Sequence, residues 1–504
     1  MNRAHSRCTR LSQLLAGLAM VDAASDREIG GVTADSRRLR PGDLFLACGG
    51  ERRHGVDFIP QALAAGAAAV VYEDSGRPPA AAGDSEVPLI AVAVRPGLAG
   101  EIAARYYRYP ATSLEVLGIT GTNGKTSCCH FLAQALEADG GRCGVIGTLG
   151  YGPRGALQPA SHTTPDGVTL QALLAEMRDA GLAQVVMEVS SHALAQGRVA
   201  AVAFDGALFT NLSHEHLDYH GDLESYARCK QQLFHSPGLR HAAVNADDPE
   251  GRRLLAALPR GVTAAAYGLG PQVQQCSASH FVQGELLRAD SHGLRLRIVS
   301  SWGEGRLHSE LLGRFNAGNL LGTLAMLLLM EIPLAQALRR LERVHAVPGR
   351  MERFGGGAGA PLVVVDYAHT PAALEAVLAT LAELTAGSLW CVFGCGGERD
   401  QDKRPLMGRI AERHADQVIV TDDNPRHEDP AGIVRQILAG MERPAAAQVI
   451  RERGAAIAHA VRQAAPHDIV LVAGKGHETY QLVAERCIPF SDRQHVQSLL
   501  GEAA

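Results

Sequence analysis

Short apolar runs alternate with segments of helical length along most of the chain. In the middle region the runs are LEVLGIT, RCGVIGTL, QVVMEVSS and GALFTNL, with one helix predicted from Lys125 and another near 168–180. The pattern returns in the last third, where the runs are LVVVDY, SLWCVFG, DQVIVTD and DIVLVAG. Strands that alternate with helices predict α/β folds, in which mostly parallel sheets carry helices on both faces.

The length of the chain and the boundaries of these patterns suggest three domains. A chain of 504 residues exceeds the usual size of one or two domains. The first block contains its own strand-like and alanine-rich segments and ends in RYYRYPAT, which resembles a helix end followed by a linker. We therefore predict an N-terminal domain over 1–110 and a central domain over 111–345, built on a P-loop-type, mostly parallel sheet. A C-terminal, doubly wound α/β domain is predicted over 346–504.

Composition excludes several functional classes. A net charge of −5 gives no reason to expect binding to nucleic acid or to a membrane surface. The ten cysteines show no repeated metal-ligand spacing, and the adjacent Cys128 and Cys129 fit a disulfide framework poorly. These features favour a reducing, cytoplasmic location. The N-terminus lacks a signal-peptide pattern, and the apolar segment 319–330 is too short to span a bilayer.

A glycine-containing loop follows the strand-like run LEVLGIT. Its glycines let amide N–H groups point at phosphate, and the helix that begins at its end favours an anion. Lys125 would reach the β- and γ-phosphates, and the Thr126 hydroxyl would hold magnesium. The strict G-x-x-x-x-G-K-[ST] pattern fails at Ile119, and the alternative is a glycine turn with a fortuitous lysine. The strand–loop–helix context favours nucleotide binding by Gly121, Thr122, Asn123, Gly124, Lys125, Thr126 and Ser127.

Acidic and histidine residues follow the next strands of the same predicted sheet. Glu188 ends one strand, where a magnesium-binding carboxylate is expected relative to a phosphate loop. His214, His216 and His220 follow the next strand, without the H-E-x-x-H spacing of a zinc site. From the residues alone this histidine cluster is either catalytic or a polar loop network. Lys230 lies on the following predicted helix, where a single lysine is usually solvated.

The segment TDDNPRHEDP, residues 421–430, places Arg426 directly after a buried strand and among four carboxylates. Proline makes this turn rigid. One interpretation is a surface turn whose arginine pairs with its neighbours, and such pairs are weak. The other interpretation is a ligand site, because Arg399, Asn424, Gly474 and Glu478 also follow strands whose carboxyl ends share one edge of the predicted sheet.

Together these motifs resemble the Mur ligases of peptidoglycan assembly. The motifs that carry the resemblance occur in family order over nearly the whole chain: ADSRRLRPGDLF, GITGTNGKT, HTTPD, EVSSHAL, LSHEHLDYHG, GRFNAGN, VPGRMERF, DYAHTP, GCGGERDQDKRPLM, DDNPRHEDP, GKGHE and FSDR. The resemblance implies an ATP-dependent amide-bond ligase whose three domains bind the UDP end, ATP and the incoming amino acid. ATP would phosphorylate a carboxylate of a UDP-sugar peptide, and an amine would attack the acyl phosphate.

The resemblance also implies roles for individual residues. Lys125, Glu188, His216 and Lys230 would be catalytic, and Thr126, Glu188, His216 and the carbamate of a modified Lys230 would bind magnesium. Asn316, Asn319, Arg350, Asp366 and His369 would join the phosphate loop in binding ATP. The UDP-sugar peptide would contact Ser36, Thr163, Thr164, Ser190, Gln196 and Arg198. The loop GGERRHG departs from the family pattern at residues 51–53.

The amino acid to be added is expected to be meso-2,6-diaminopimelate, because the family associates DNPR with that substrate. Its distal end is a zwitterion, which needs an arginine for the carboxylate and an acceptor for the ammonium. The expected site is Arg399, Asp423, Asn424, Pro425, Arg426, Gly474 and Glu478. The acceptor would be UDP-N-acetylmuramoyl-L-alanyl-D-glutamate, and the enzyme a monomer. The alternatives are a lysine-adding, dipeptide-adding or folate-polyglutamate-type ligase, and a nucleotide-switched binding ATPase.

Overall fold

The computed structural model describes residues 9–50, 53–76, 86–357 and 359–501. Glu51 and Arg52 of the GGERRHG loop, like the first eight residues, lie outside the described part. The chain forms two compact units, the first comprising Met1–Tyr267, Pro271–Phe281 and Ala325–Glu331, and the second Gly268–Gly270, Val282–Leu324 and Ile332–Ala504. Within the described ranges, no helix has both the length and the apolar character needed to cross a membrane.

The first unit begins with a two-stranded antiparallel sheet and a four-stranded parallel sheet. Its strands and helices are β1 (Thr9–Arg10), α1 (Leu11–Leu14), β2 (Glu28–Ile29), β3 (Gly31–Thr33), β4 (Asp43–Ala47), α2 (Ile59–Ala64), β5 (Ala69–Glu73), β6 (Leu89–Val92) and α3 (Leu98–Tyr106). Strands β3, β4, β5 and β6 pair in that order, all parallel. Leu44 and Leu46 point to the same side of β4 and pack in one cluster with Ile102 of α3. The alternation of strand side chains thus buries one face of this sheet beneath α3.

A larger sheet follows in the same unit. Its elements are β7 (Glu115–Thr120), α4 (Lys125–Glu137), β8 (Cys143–Gly147), β9 (Gly150–Pro153), α5 (Gly167–Asp179), β10 (Gln184–Glu188), α6 (Ser191–Ala195), β11 (Gly206–Phe209), α7 (Leu217–His220), α8 (Leu223–Gln231), β12 (His241–Asn245), α9 (Pro249–Ala257) and β13 (Thr263–Gly268). The strands hydrogen-bond in the order β13-β12-β11-β7-β10-β8-β9, and among these only β9 is antiparallel to its neighbour. The carboxyl ends of β7, β10 and β11 therefore lie side by side at one edge.

Antiparallel strands and two helices lead to the last region. They are β14 (His280–Asp290), β15 (Gly293–Ser300), β16 (Gly303–Ser309), α10 (Arg314–Leu329) and α11 (Leu334–Glu342). β15 pairs with β14 on one side and β16 on the other, antiparallel to both. The apolar segment 319–330 lies largely within α10, as its composition predicts.

The second unit contains the C-terminal sheet. Its elements are β17 (Glu352–Gly355), β18 (Leu362–Asp366), α12 (Pro371–Leu384), β19 (Leu389–Phe393), α13 (Lys403–His414), β20 (Gln417–Val420), α14 (Pro430–Leu438), β21 (Gln448–Val449), α15 (Arg453–Gln463), β22 (Ile469–Ala473), β23 (Tyr480–Val483), β24 (Arg486–Pro489) and α16 (Asp492–Leu500). The main sheet has the order β17-β18-β22-β19-β20-β21. Its strands β18, β22, β19, β20 and β21 are parallel, and β17 is antiparallel to β18.

Alternate side chains of this sheet enter two separate cores. Val364 and Phe393 pack with residues of α12, α13 and α14. Val363 and Val392 pack on the other side with residues of α15 and α16. Helices therefore cover both faces, which confirms the doubly wound α/β fold expected from the sequence.

Candidate functional site

The loop that the sequence predicts to bind phosphate connects the end of β7 to the start of α4. Gly121 has φ +148, and a side chain there would overlap the Thr210 hydroxyl, so the close approach of β11 requires glycine. The Thr122 amide donates to the carbonyl of Asn211 (2.8 Å), and the Thr210 hydroxyl donates to the carbonyl of Asn123 (2.6 Å). The loop is thus held by the chain that follows β11. The Asn123 amide likewise donates to the Asn211 side-chain oxygen (2.9 Å), and α4 begins directly after the loop, as the glycine pattern predicts.

Lys125 is the first residue of α4 and folds back over the loop. Its Nζ donates to the carbonyls of Gly121 (2.9 Å) and Thr122 (2.7 Å). Both acceptors are backbone groups of the loop itself, so the ammonium lies at the place where the loop would enclose a phosphate. A phosphate offers a stronger, charge-assisted acceptor than a neutral carbonyl.

Glu188 and Thr126 are adjacent at the edge of the central sheet. Glu188 ends β10, directly beside β7 in the sheet register, and is only 1% exposed. The Thr126 hydroxyl donates to one carboxylate oxygen (2.8 Å), and the Thr148 amide donates to the other (2.7 Å). Thr148 was not predicted, although its position directly after β8 is a usable sequence signal. A hydroxyl and a carboxylate in contact are oxygen donors of the kind that Mg²⁺ accepts, with water and phosphate completing its shell.

Lys230 is buried, so the expectation of a solvated helical lysine is wrong. It lies on α8, is 1% exposed, and donates from Nζ to the carbonyl of Gly121 (2.8 Å). Its ammonium also lies 4.3 Å from the ring centroid of Tyr226. Burial, and next the Lys125 ammonium, hold the pKa of Lys230 well below the ordinary lysine value.

His216 and His220 belong to a group of rings that contact one another edge-on or at a tilt. His216 is exposed, has φ +56, and packs edge-on against His192 with ring centroids 4.9 Å apart. Its ring is also 6.3 Å from Tyr226, the residue beneath Lys230. His220 contacts the Ser191 hydroxyl at 3.0 Å. No set of three or more His, Cys, Asp or Glu side chains within the described ranges is arranged to hold a metal ion, so the zinc interpretation gains no support.

Five of the six residues expected to bind the UDP-sugar peptide form one network next to Glu188. The Thr164 hydroxyl donates to the Glu188 carbonyl (2.8 Å), and Arg198 donates to the Thr164 carbonyl (3.0 Å). The remaining contacts are Ser190 N to Thr164 Oγ1 (3.1 Å), Arg198 Nε to Gln196 Oε1 (2.7 Å) and the hydroxyls of Thr148 and Thr163 (3.1 Å). Ser36 lies in the N-terminal region instead, where its hydroxyl donates to Gln61 (2.9 Å).

The expected ATP contacts of the second unit form two groups. Asn319 donates to the side-chain oxygen of Asn316 (2.9 Å), and both are buried in α10. Arg350 lies over the ring of Tyr367, with Cζ 4.5 Å from its centroid, and His369 contacts the Tyr367 carbonyl (2.9 Å). Asp366, at the end of β18, accepts from the amides of Met351 (2.7 Å) and Ala368 (2.8 Å). Burial raises the pKa of Asp366, although the Arg350 guanidinium acts in the opposite direction.

Asn424 and Glu478 meet at the carboxyl edge of the C-terminal sheet. The Asn424 amide nitrogen donates to Glu478 Oε2 (2.9 Å). Lys475, which is fully buried, donates to the same carboxylate oxygen (2.7 Å) and to the Asn424 side-chain oxygen (3.1 Å). Sequence reasoning missed Lys475, although it stands in the GKGHE motif directly after β22. These contacts fix which way the Asn424 amide faces.

Arg426 is held by its own backbone and by the loop after β19. Its φ is +52, its amide donates to the Leu482 carbonyl (3.0 Å), and its carbonyl accepts from Ala484 (2.7 Å). The guanidinium donates from Nη1 to the Gly397 carbonyl (2.7 Å). A methyl group built at Gly396 would lie 3.0 Å from Arg426 Nη1 and 3.8 Å from Arg399 Cγ. The Arg426 guanidinium therefore lies against the loop after β19, and Arg399, three positions after Gly396, belongs to that same loop.

The four carboxylates around Arg426 have other structural roles. Asp422 pairs with Arg451 (3.0 Å), Glu428 pairs with Arg404 (2.8 Å), and Asp429 accepts from the first amides of α14 and pairs with Arg435 (3.2 Å). Asp423 lies against Gly474, where a methyl group would be 2.7 Å from its carboxylate. The acids brace the turn, and this arrangement disfavours the interpretation of Arg426 as an arginine paired with its neighbours.

Three protein-family models match this chain. Residues 28–107 match the Mur ligase family catalytic domain, residues 119–327 the Mur ligase middle domain, and residues 349–476 the Mur ligase glutamate ligase domain. The UDP-N-acetylmuramoyl-L-alanyl-D-glutamate–2,6-diaminopimelate ligase of Alkalilimnicola ehrlichii is 48% identical over 502 residues, covering 98% of this chain and 99% of its own. The protein of the same name from Pseudomonas aeruginosa is 49% identical over 482 residues, covering 95% and 96%.

Solved structures show the same relationship. A structure of a UDP-N-acetylmuramoyl-L-alanyl-D-glutamate–2,6-diaminopimelate ligase aligns with a TM-score of 0.71 and 32% identity, covering 98% of this chain and 99% of the other. MurF from Acinetobacter baumannii aligns with a TM-score of 0.62 at 17% identity, over 98% and 99% of the two chains, and shares the fold. Three regions of the chain match Mur ligase models, and relatives with about half of their residues identical cover nearly all of it. The chain therefore belongs to the Mur ligase family.

Proposed function

We propose that this protein is an ATP-dependent ligase that joins meso-2,6-diaminopimelate to UDP-N-acetylmuramoyl-L-alanyl-D-glutamate. The single observation that carries the choice of amino acid is the Arg426 guanidinium, which the Gly397 carbonyl holds (2.7 Å) at the sheet edge where Glu478 also lies. The Arg426 guanidinium at this edge suits a distal carboxylate, and Glu478 at the same edge suits the ammonium beside it. Arg399, in the loop that Arg426 contacts, is proposed as a second carboxylate contact. Relatives that are named for this reaction cover almost the whole chain.

The chemistry requires a carboxylate to become a better electrophile. An ionised carboxylate resists attack because oxide is a poor leaving group, whereas the acyl phosphate formed with ATP loses inorganic phosphate when the amine attacks. The phosphate loop amides and Lys125 would bind and orient the polyphosphate. The N–H groups and the ammonium would then stabilise the negative charge that develops during phosphoryl transfer. Asn316, Asn319, Arg350, Asp366 and His369 are proposed as further ATP contacts.

Magnesium is proposed to bind at the Thr126 and Glu188 oxygens, which lie 2.8 Å apart. When bound, it would neutralise phosphate charge. Lys230 would complete this site as a carbamate, with His216 as a further ligand. A buried lysine whose pKa is depressed has a larger neutral fraction, and the neutral amine is the form that adds CO₂. The modification would replace a cation by an oxygen donor beside the phosphate loop.

The remaining assignments are proposals of the same kind. The three predicted domains, 1–110, 111–345 and 346–504, would bind the UDP end, ATP and the amino acid. Ser36, Thr163, Thr164, Ser190, Gln196 and Arg198 would bind the UDP-sugar peptide. We further propose a monomer that works in the cytoplasm.

The decisive experiment measures phosphate release from ATP with UDP-N-acetylmuramoyl-L-alanyl-D-glutamate and a panel of amines, followed by mass spectrometry of the product. We expect release that depends on diaminopimelate, and a product larger by one diaminopimelate less one water. Release that depends on lysine or on a dipeptide would indicate a sibling ligase. ATP hydrolysis that no amine stimulates would instead support a nucleotide-switched binding protein.

A further inference from the structure

Arg404 is a fully buried arginine beneath the proposed amino-acid site. It is the second residue of α13, and its side chain is 0% exposed. Nη1 donates to Glu428 Oε2 (2.8 Å) and to Gln436 (2.6 Å), while Nη2 donates to Glu428 Oε1 (3.0 Å) and to the Gly396 carbonyl (3.0 Å). One guanidinium therefore joins the loop after β19 to the turn after β20.

Glu428 also contacts the loop after β19 directly, in addition to its contact with Arg404. Its Oε1 also accepts the backbone amide of Glu398, in the loop after β19. The bond from Arg404, and next that amide, hold the pKa of Glu428 below the ordinary glutamate value. Glu428 is thus an anion that fastens the turn after β20 to the loop before Arg399.

Backbone contacts between the same two segments lie directly above the pair. The Gly397 amide donates to the Asn424 carbonyl (2.9 Å), and Arg426 donates to the Gly397 carbonyl (2.7 Å). A side chain at Gly397 would overlap the Pro425 carbonyl, so the segments touch without a gap. Any shift of the Gly396 carbonyl would therefore move the acceptor that holds Arg426.

We propose that Arg404 is a positioning residue for the amino-acid site: by holding Gly396 and Glu428 together, it sets the spacing of Arg399 and Arg426 and hence the preference for an amine with a distal carboxylate. This inference rests on the proposed function. Stability alone is a poor explanation for the pair, because buried ion pairs are often replaced by apolar residues without loss of stability. A fork-shaped donor that reaches two segments at once fixes geometry, which an apolar side chain cannot do.

The test uses the full-length enzyme with Arg404→Met, Glu428→Gln and the double variant, which leaves no unpaired buried charge. We expect the KM for diaminopimelate to rise about tenfold or more, because misplacing a binding group by a fraction of an ångström weakens both contacts. The KM values for ATP and the UDP-sugar peptide should stay within about twofold, and kcat at saturating diaminopimelate should fall less than KM rises. The preference for diaminopimelate over lysine should fall in parallel, and Arg404→Lys should recover only part of it.

Trp390→Phe is the matched control. Trp390 lies at the other end of β19 and donates to Asp468 (3.2 Å), so this variant also loses a buried hydrogen bond but leaves the two segments intact. It should lower the melting temperature without changing the KM for diaminopimelate. If the Arg404 variants do not fold, Glu428→Gln carries the same test, because Arg404 keeps the Gln436 and Gly396 acceptors and the glutamine oxygen can replace one carboxylate oxygen.

Two outcomes would overturn the proposal. One is a folded double variant, or a folded Glu428→Gln variant, with the wild-type KM for diaminopimelate. The other is an equal change in all three KM values together with a lower melting temperature, which indicates a structural role only. Failure of the proposed function is distinguishable, since the wild-type enzyme itself would then form no diaminopimelate product.

Discussion

Replacement of Arg426 by alanine tests the carboxylate receptor most directly. The guanidinium is half-buried and held by the Gly397 carbonyl at 2.7 Å, so it is largely fixed before substrate binds. Loss of one partner of a buried charge pair costs about 2–5 kcal/mol. Because Arg426 is partly exposed to water, we expect the lower part of that range, about 2–3 kcal/mol, which corresponds to a fall in kcat/KM for diaminopimelate of about 30- to 160-fold.

The folded state should be affected far less. Alanine keeps the backbone bonds to Leu482 and Ala484 but loses the bond to Gly397, which is worth about 0.5–1.5 kcal/mol. Steady-state phosphate release at varied diaminopimelate and at varied lysine measures the first effect, and denaturant unfolding measures the second. The ratio of kcat/KM for diaminopimelate to that for lysine should fall, because lysine lacks the distal carboxylate.

Arg435→Ala is the control from the same region. Arg435 lies on α14, is 71% exposed and pairs with Asp429 at the start of that helix. Its loss should therefore leave both the KM for diaminopimelate and the stability nearly unchanged. The reasoning is refuted if Arg426→Ala retains the wild-type KM, turnover and amino-acid preference. A similar loss in both arginine variants would also refute it, since the effect would then come from the general charge of the region.

Three further predictions concern other parts of the molecule. Thr126→Ala should lower kcat/KM for ATP about 100-fold and raise the magnesium concentration needed for half-maximal activity, whereas Thr126→Ser, which keeps the hydroxyl beside Glu188, should retain most activity. Gly397→Ala should lower the melting temperature and raise the KM for diaminopimelate, whereas Gly357→Ala, where a methyl group meets nothing within 4 Å, should do neither. In CO₂-free buffer Lys230→Met should flatten the rise of unfolding free energy with pH. Because the pKa of Lys230 is depressed in the folded state, the unfolded chain binds more protons than the folded chain. The free energy of unfolding therefore increases with pH up to the pKa of the lysine in the unfolded chain, by up to about 1.4 kcal/mol per pH unit. Denaturant titrations of both proteins from about pH 7 to about pH 9 measure the difference; identical slopes would contradict it.

The sequence by itself determined the local elements and the edges at which ligands should bind. The alternation of apolar runs with helical segments predicted the parallel strands β7, β10 and β11, and the loops after them carry the phosphate loop and Glu188. Strand ends are visible in sequence because the apolar pattern stops there, and parallel strands bring their carboxyl ends to one edge. The same rule predicts that Arg399 and Arg426 converge, and in the structure the Arg426 guanidinium contacts the loop that contains Arg399.

Only the tertiary structure decided which polar groups are buried and what they contact. Lys230 meets the Gly121 carbonyl across 109 positions of sequence, so nothing in its own helix distinguishes it from a solvated lysine. Two of the acids around Arg426 likewise have partners far along the chain: Arg404 lies 24 positions from Glu428, and Arg451 lies 29 positions from Asp422. Local periodicity reports the conformation of a segment, whereas the burial and charge state of a side chain depend on the segments that pack against it.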